Sequence, residues 1–65
     1  MATINTKLLR TLRKEKGLTQ GELANKIGIG QSFISKIEKG HLEPSLATLG
    51  RMARALGTDV KALLK

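Results

Sequence analysis

The chain has 65 residues, 40% of them apolar, and 12 Lys or Arg against 5 Asp or Glu give it a formal net charge of +7. That length suits one domain, residues 1–65, with a thin core and a stability of roughly 3 to 5 kcal/mol. The absence of cysteine, the lone histidine His41 and the lone aromatic Phe33 exclude a disulfide framework, a structural zinc site and a base-stacking single-strand module.

Glycines and polar caps divide the chain into five short helices. The first is predicted from about Thr6 to Lys16, with Leu8, Leu9 and Leu12 on one face and Gly17 just past its end. Thr19 to Glu22 reads as a capping box opening a second helix that ends near Ile27, before Gly28. A third helix runs from Gln31 to about Lys39 and stops at Gly40. Ser45, after Pro44, caps a fourth, whose buried face is Leu46, Leu49, Met52, Ala53 and Leu56. Past Gly57, Thr58 or Asp59 caps a last turn carrying Val60, Leu63 and Leu64. Without strand-like alternation, the class is all-α. Gly21 falls in a first turn, where its cost is muted. Gly50, inside the fourth helix, implies close helix packing.

The stretch Gln20 to Ile37 carries a helix-turn-helix pattern. A small residue, Ala24, lies where one helix crosses the other, and Gly28 supplies a left-handed turn. Leu23, Ile27, Ile29, Ile34 and Ile37 fill the wedge between the helices. A generic bundle with a glycine turn explains the apolar positions. It leaves Gln20, Ala24 and the polar face of the third helix as coincidences.

With these residues in place, the sequence resembles the lambda-repressor-like (XRE-type) helix-turn-helix regulators of prokaryotes and phages. The likeness runs from LLRTLRKEKGLTQGELA through SKIEKG and EPSLATL to ARALGTDVKALL. It implies a compact five-helix DNA-binding domain whose third helix enters the major groove of double-stranded DNA. It also implies a homodimer on a near-palindrome.

By that resemblance Gln31, Ser32 and Lys36 match base-reading positions, and Ser35 shares their outward face. Glutamine and lysine have the donors and acceptors to read adenine and guanine edges. Phe33 falls on the groove side, against a thymine methyl or a sugar, or else tucks against the second helix. Gln20 matches a phosphate-binding glutamine, and Thr19, Lys39, His41 and Ser45 match other positions near the backbone. Arg13 and Glu38 match a bridging pair that fixes the angle of the reading helix; the plain alternative is two solvated charges. Two departures stand out: Gly30 replaces a hydroxyl cap on the third helix, and Glu43 puts a negative charge in a loop that usually carries positive ones.

The expected function is a sequence-specific transcription regulator, a repressor, with Leu56, Val60, Leu63 and Leu64 as dimer surface. The competing reading is an antitoxin-type or protein-bridging module with an additional protein partner. Five carboxylates and one histidine offer no acid, base or nucleophile constellation, so neither an enzyme nor a cofactor or metal is expected. No apolar run approaches the ~20 residues of a membrane span and no signal peptide is visible, so the expected location is cytoplasmic, at the nucleoid when DNA is bound. The charge is unevenly spread: +4 over residues 1–18, 0 over 19–45 and +3 over 46–65. The block expected to face DNA is thus neutral, and the basic pI supports a polyanion partner only indirectly.

Overall fold

Each helix begins where a side chain satisfies a free N–H or a glycine permits the turn. In the computed structural model, which describes residues 3–65, these are α1 (Thr6–Glu15), α2 (Gln20–Ile27), α3 (Gln31–Glu38), α4 (Leu46–Ala55) and α5 (Val60–Leu63). Asn5 Oδ1 accepts from the Leu8 N–H and so caps α1. The Thr19–Glu22 capping box is complete: the threonine hydroxyl accepts from Glu22 N–H, and the glutamate accepts from Thr19 N–H. Ser45 and Asp59 cap α4 and α5 in the same way, so of the two candidates for the last turn it is Asp59 that serves. Gly28 sits at φ 74° between α2 and α3, a left-handed turn that any Cβ would strain. The Ile29 N–H reaches back to the Ala24 carbonyl across that glycine, closing the end of α2 and turning the chain steeply into α3.

Leu9, Leu23, Ala24, Ile27, Ile34, Ile37, Leu49, Met52, Ala53, Leu56 and Leu63 form one buried cluster with Ile4. The helices pack around it as α2 on α3 and α4, α1 on α3 and α5, and α4 on α5. Ala24, 2% exposed, meets the requirement for a small residue at the crossing. The first and last described residues are clasped together. Ile4 and Leu64 form an isolated antiparallel bridge, Asn5 N–H donates to Leu63 O at 2.8 Å, and Lys65 N–H donates to Thr3 O at 2.9 Å. One residue pair leaves no periodicity in a sequence, which is why Ile4 was absent from the expected core.

Three expectations need correction. Leu56 and Leu63 are only 2% and 0% exposed, and Val60 is half-buried against the core. In so small a domain the last turn supplies core closure and cannot also supply a dimer face; only Leu64, 43% exposed, remains outward. Leu46 is 73% exposed, because it extends the apolar stripe of α4 one turn beyond the elements that could cover it. Gly50 is not forced by packing: a Cβ there would lie 3.9 Å from Val60 Cγ2, an ordinary contact. Gly50→Ala should therefore stabilise the fold by about 0.5 to 1 kcal/mol, read as a raised urea midpoint at unchanged slope.

Candidate nucleic-acid interface

The polar face of α3 is produced by its apolar one. Ile34 and Ile37 are buried at 0% and 1% exposure, and helical spacing then turns Gln31, Ser32, Lys36 and Lys39 outward. Ser35 is half-buried at the edge of this face. Phe33 is 52% exposed and is not core; it rims an apolar groove of about 270 Å³ whose other walls include Ile29, Leu42 and Pro44. Gln31 lies back over the first turn of α2, so close that a Cβ on Gly21 would come within 3.3 Å of its Oε1. That contact gives Gly21 a reason the sequence did not.

The angle of α3 is set from behind by one buried carboxylate. Glu38, 2% exposed, accepts from Arg13 Nε at 2.6 Å through one oxygen and from Arg13 Nη2 at 3.1 Å through the other. Arg13 also donates from Nη1 to the Leu18 carbonyl at 2.8 Å, which ties the loop between α1 and α2 to the same point. Gln20 Nε2 donates to Glu38 Oε1 at 3.1 Å, and Arg10 Nη1 donates to the Glu38 backbone carbonyl at 3.1 Å. This bidentate, fully hydrogen-bonded arrangement is what allows charges to sit inside so small a core. Among the described residues no buried side-chain polar atom lacks a partner. Arg10 and the inward bond of Gln20 were not anticipated, since neither spacing nor periodicity links positions 18 or 28 residues apart.

The remaining polar candidates surround α3. Thr19 is exposed at the start of α2, with its oxygen accepting from Glu22 N–H and its hydroxyl proton still available. Lys39 and His41 are exposed just past α3, where His41 N–H closes the helix end on the Lys36 carbonyl. Ser45 is exposed but engaged: its hydroxyl accepts from Thr48 N–H and donates to Thr48 Oγ1. Glu43 is also held, accepting from Thr3 N–H at 2.8 Å and from the Thr3 hydroxyl at 2.9 Å. With Glu38 paired and Glu43 held by Thr3, Lys36 and Lys39 are cations on and beside the exposed face of α3.

Those Thr3 bonds, the backbone one first, lower the Glu43 pKa below its ordinary value of 4.5. A lowered folded-state pKa stabilises the fold above the unfolded value and loses that contribution as pH falls through the folded one. Wild type should therefore be more stable than Glu43→Gln at neutral pH, with the gap starting to close as pH falls past about 4.5 and vanishing only below the lowered folded-state value. Urea titrations across that range measure it; a gap unchanged in acid would mean that the charge on Glu43 plays no part.

A family model described as helix-turn-helix matches residues 9–63, nearly the whole chain. The chain belongs to the lambda-repressor-like (XRE-type) helix-turn-helix family. Among relatives within it, the chain is 50% identical over 52 residues to an uncharacterized HTH-type transcriptional regulator of Methanothermobacter thermautotrophicus, covering 80% of this chain and 75% of that one. It is 41% identical over 56 residues to the immunity repressor protein of Bacillus phage phi105, covering 86% of this chain and 39% of that protein. The chain is thus much shorter than some of the family members it matches. Of solved structures, the biofilm-formation master regulator SinR in complex with DNA superposes with a TM-score of 0.85 at 34% identity, covering 92% of this chain and 97% of that one. Relatives in this family are named as transcriptional regulators and repressors, and among the described residues of this member no helix is long and apolar enough to cross a membrane.

Proposed function

We propose that the protein is a sequence-specific double-stranded DNA-binding repressor that inserts α3 into the major groove. The observation that carries this reading is the exposed Gln31, Ser32 and Lys36 face, held rigidly from behind by the buried Arg13–Glu38 pair. Gln31 and Lys36 read base edges, with Ser32, Ser35 and Phe33 completing the contact surface. Thr19, Gln20, Lys39, His41 and Ser45 fix the domain on the phosphates. Gln20 donates one amide hydrogen to Glu38 and has a second for a phosphate, so it couples the backbone contact to the angle of α3. Ser45 has to give up its bond to Thr48 to donate outward.

The domain acts as a homodimer on a near-palindrome, with the two α3 helices about 34 Å apart. Support comes from relatives named as repressors and from a structural neighbour seen with DNA. Selection from a randomised duplex pool at several salt concentrations tests the proposal. A palindromic consensus with salt-sensitive affinity is the expected result. Weak binding to every duplex alike would refute sequence-specific regulation.

A further inference from the structure

Away from α3, three basic side chains meet on one surface. At the C-terminal end of α2, Asn25 and Lys26 meet Arg51 and Arg54, one turn apart on α4, around an open cleft of about 530 Å³. Its apolar lining is Ala55 and the edge of Ile27, itself only 5% exposed. No carboxylate lines it, and among the described residues the one ion pair is Arg13–Glu38, so Lys26, Arg51 and Arg54 share one surface without a salt bridge. Arg51 is already oriented: its Nη1 donates to the Ile27 carbonyl at 3.4 Å, leaving its other N–H groups free. None of these residues is among the candidate DNA contacts. Ile27 is also about 10 Å along the axis of α2 from Gln20, which lies at the opposite end.

We infer that this cleft binds an acidic segment of a partner protein, one in which carboxylates flank an apolar side chain. The chemistry favours that ligand over the two other polyanions a basic surface can take. Phosphates would pair with the same three cations, but the apolar Ala55 and Ile27 beside them add a contact only for a ligand that carries a leucine or isoleucine next to its carboxylates. A small anion is disfavoured because the cleft is wide and open, so water would compete for every contact. Arg51, held against the end of α2 by its bond to the Ile27 carbonyl, loses less entropy on binding than a free side chain would. The inference gives the domain a protein-binding surface separate from α3 and stands whether or not the chain reads DNA sequence.

The test uses a short fluorescent peptide of repeated Glu-Glu-Leu triplets, followed by anisotropy and by amide chemical shifts. The expected outcome is binding to the wild-type chain, with shifts centred on Asn25, Gly28, Arg51 and Ala55. Lys26→Glu with Arg54→Glu should weaken it by about tenfold or more, and should gain affinity for the matching Lys-Lys-Leu peptide. If the reversed pair does not fold, Lys26→Gln with Arg54→Gln carries the same comparison, with the thermal transition as control. Gln-Gln-Leu and Glu-Glu-Ser peptides should both bind worse, since each removes half of the recognised chemistry.

Equal affinity of the acidic peptide for wild type and variants overturns the inference, as do shifts centred on α3. So does inorganic phosphate that produces the same shifts and displaces the peptide, which would make the cleft a simple anion site. Loss of duplex binding in the same variants would reassign the cleft to the DNA backbone. Failure of wild type to select any duplex would refute the repressor reading and leave the peptide result intact.

Discussion

Glu38→Ala should cost about 3 to 5 kcal/mol and leave much of the protein unfolded at room temperature, because it strands the guanidinium of Arg13 in the core without a counter-charge. That cost equals the whole stability expected of a domain this small. It also strips Gln20 Nε2 of the partner it holds at 3.1 Å. Arg13→Met combined with Glu38→Leu should fold better than Glu38→Ala alone, since both desolvated charges leave together and apolar bulk replaces them. Urea titrations of the wild type, Arg13→Met, Glu38→Leu and the double variant close the cycle. A double variant as unstable as the sum of the singles would show that the pair acts as two independent charges. A folded double variant has a second use: if it binds operator DNA more weakly or with a shifted preference, the bridge sets the angle of α3 and does more than stabilise it.

Gln31→Ala and Lys36→Ala should each relax base preference at one position of the selected site, at a cost of about 1 to 3 kcal/mol of discrimination. Lys39→Ala should instead weaken all sequences alike and reduce the salt slope by about one. Competition binding of consensus and single-mismatch duplexes over a salt series separates the two behaviours. Identical profiles for the three variants would undo the division between base readers and phosphate contacts. Gly21→Ala is a subtler arm of the same experiment. Its Cβ would stand 3.3 Å from Gln31 Oε1, so the carboxamide must move by a few tenths of an ångström. Preference should change at the base pair read by Gln31 while the fold keeps its stability or gains a little.

What could be read from the sequence was what repeats or what caps. Leu23, Ala24, Gly28, Ile34 and Ile37 stand at spacings only two crossed helices require, and the Thr19–Glu22 box marks a helix start by chemistry local to four residues. Single contacts between distant positions left no such trace. The bonds from Arg10 and Gln20 to Glu38, the Thr3 grip on Glu43 and the Ile4–Leu64 bridge join residues whose spacing follows no period. The dimer surface was misplaced for a related reason. Apolar residues in a last turn read the same whether they cover another copy or close their own core, and here Leu56 and Leu63 close the core. The basic cleft was also out of reach, since Lys26 and Arg51 come together only when α2 packs on α4.

The clasp between Thr3 and Lys65 has a topological consequence. With Lys65 N–H bonded to Thr3 O, the chain path enters and leaves the domain at one spot. A short linker between Thr3 and Lys65 would therefore close the described residues into a ring, and new termini could then be cut in an exposed loop. By the same token residues 3–65 could be spliced into a surface turn of another protein without prising that turn apart, arriving with α3 already set at its angle.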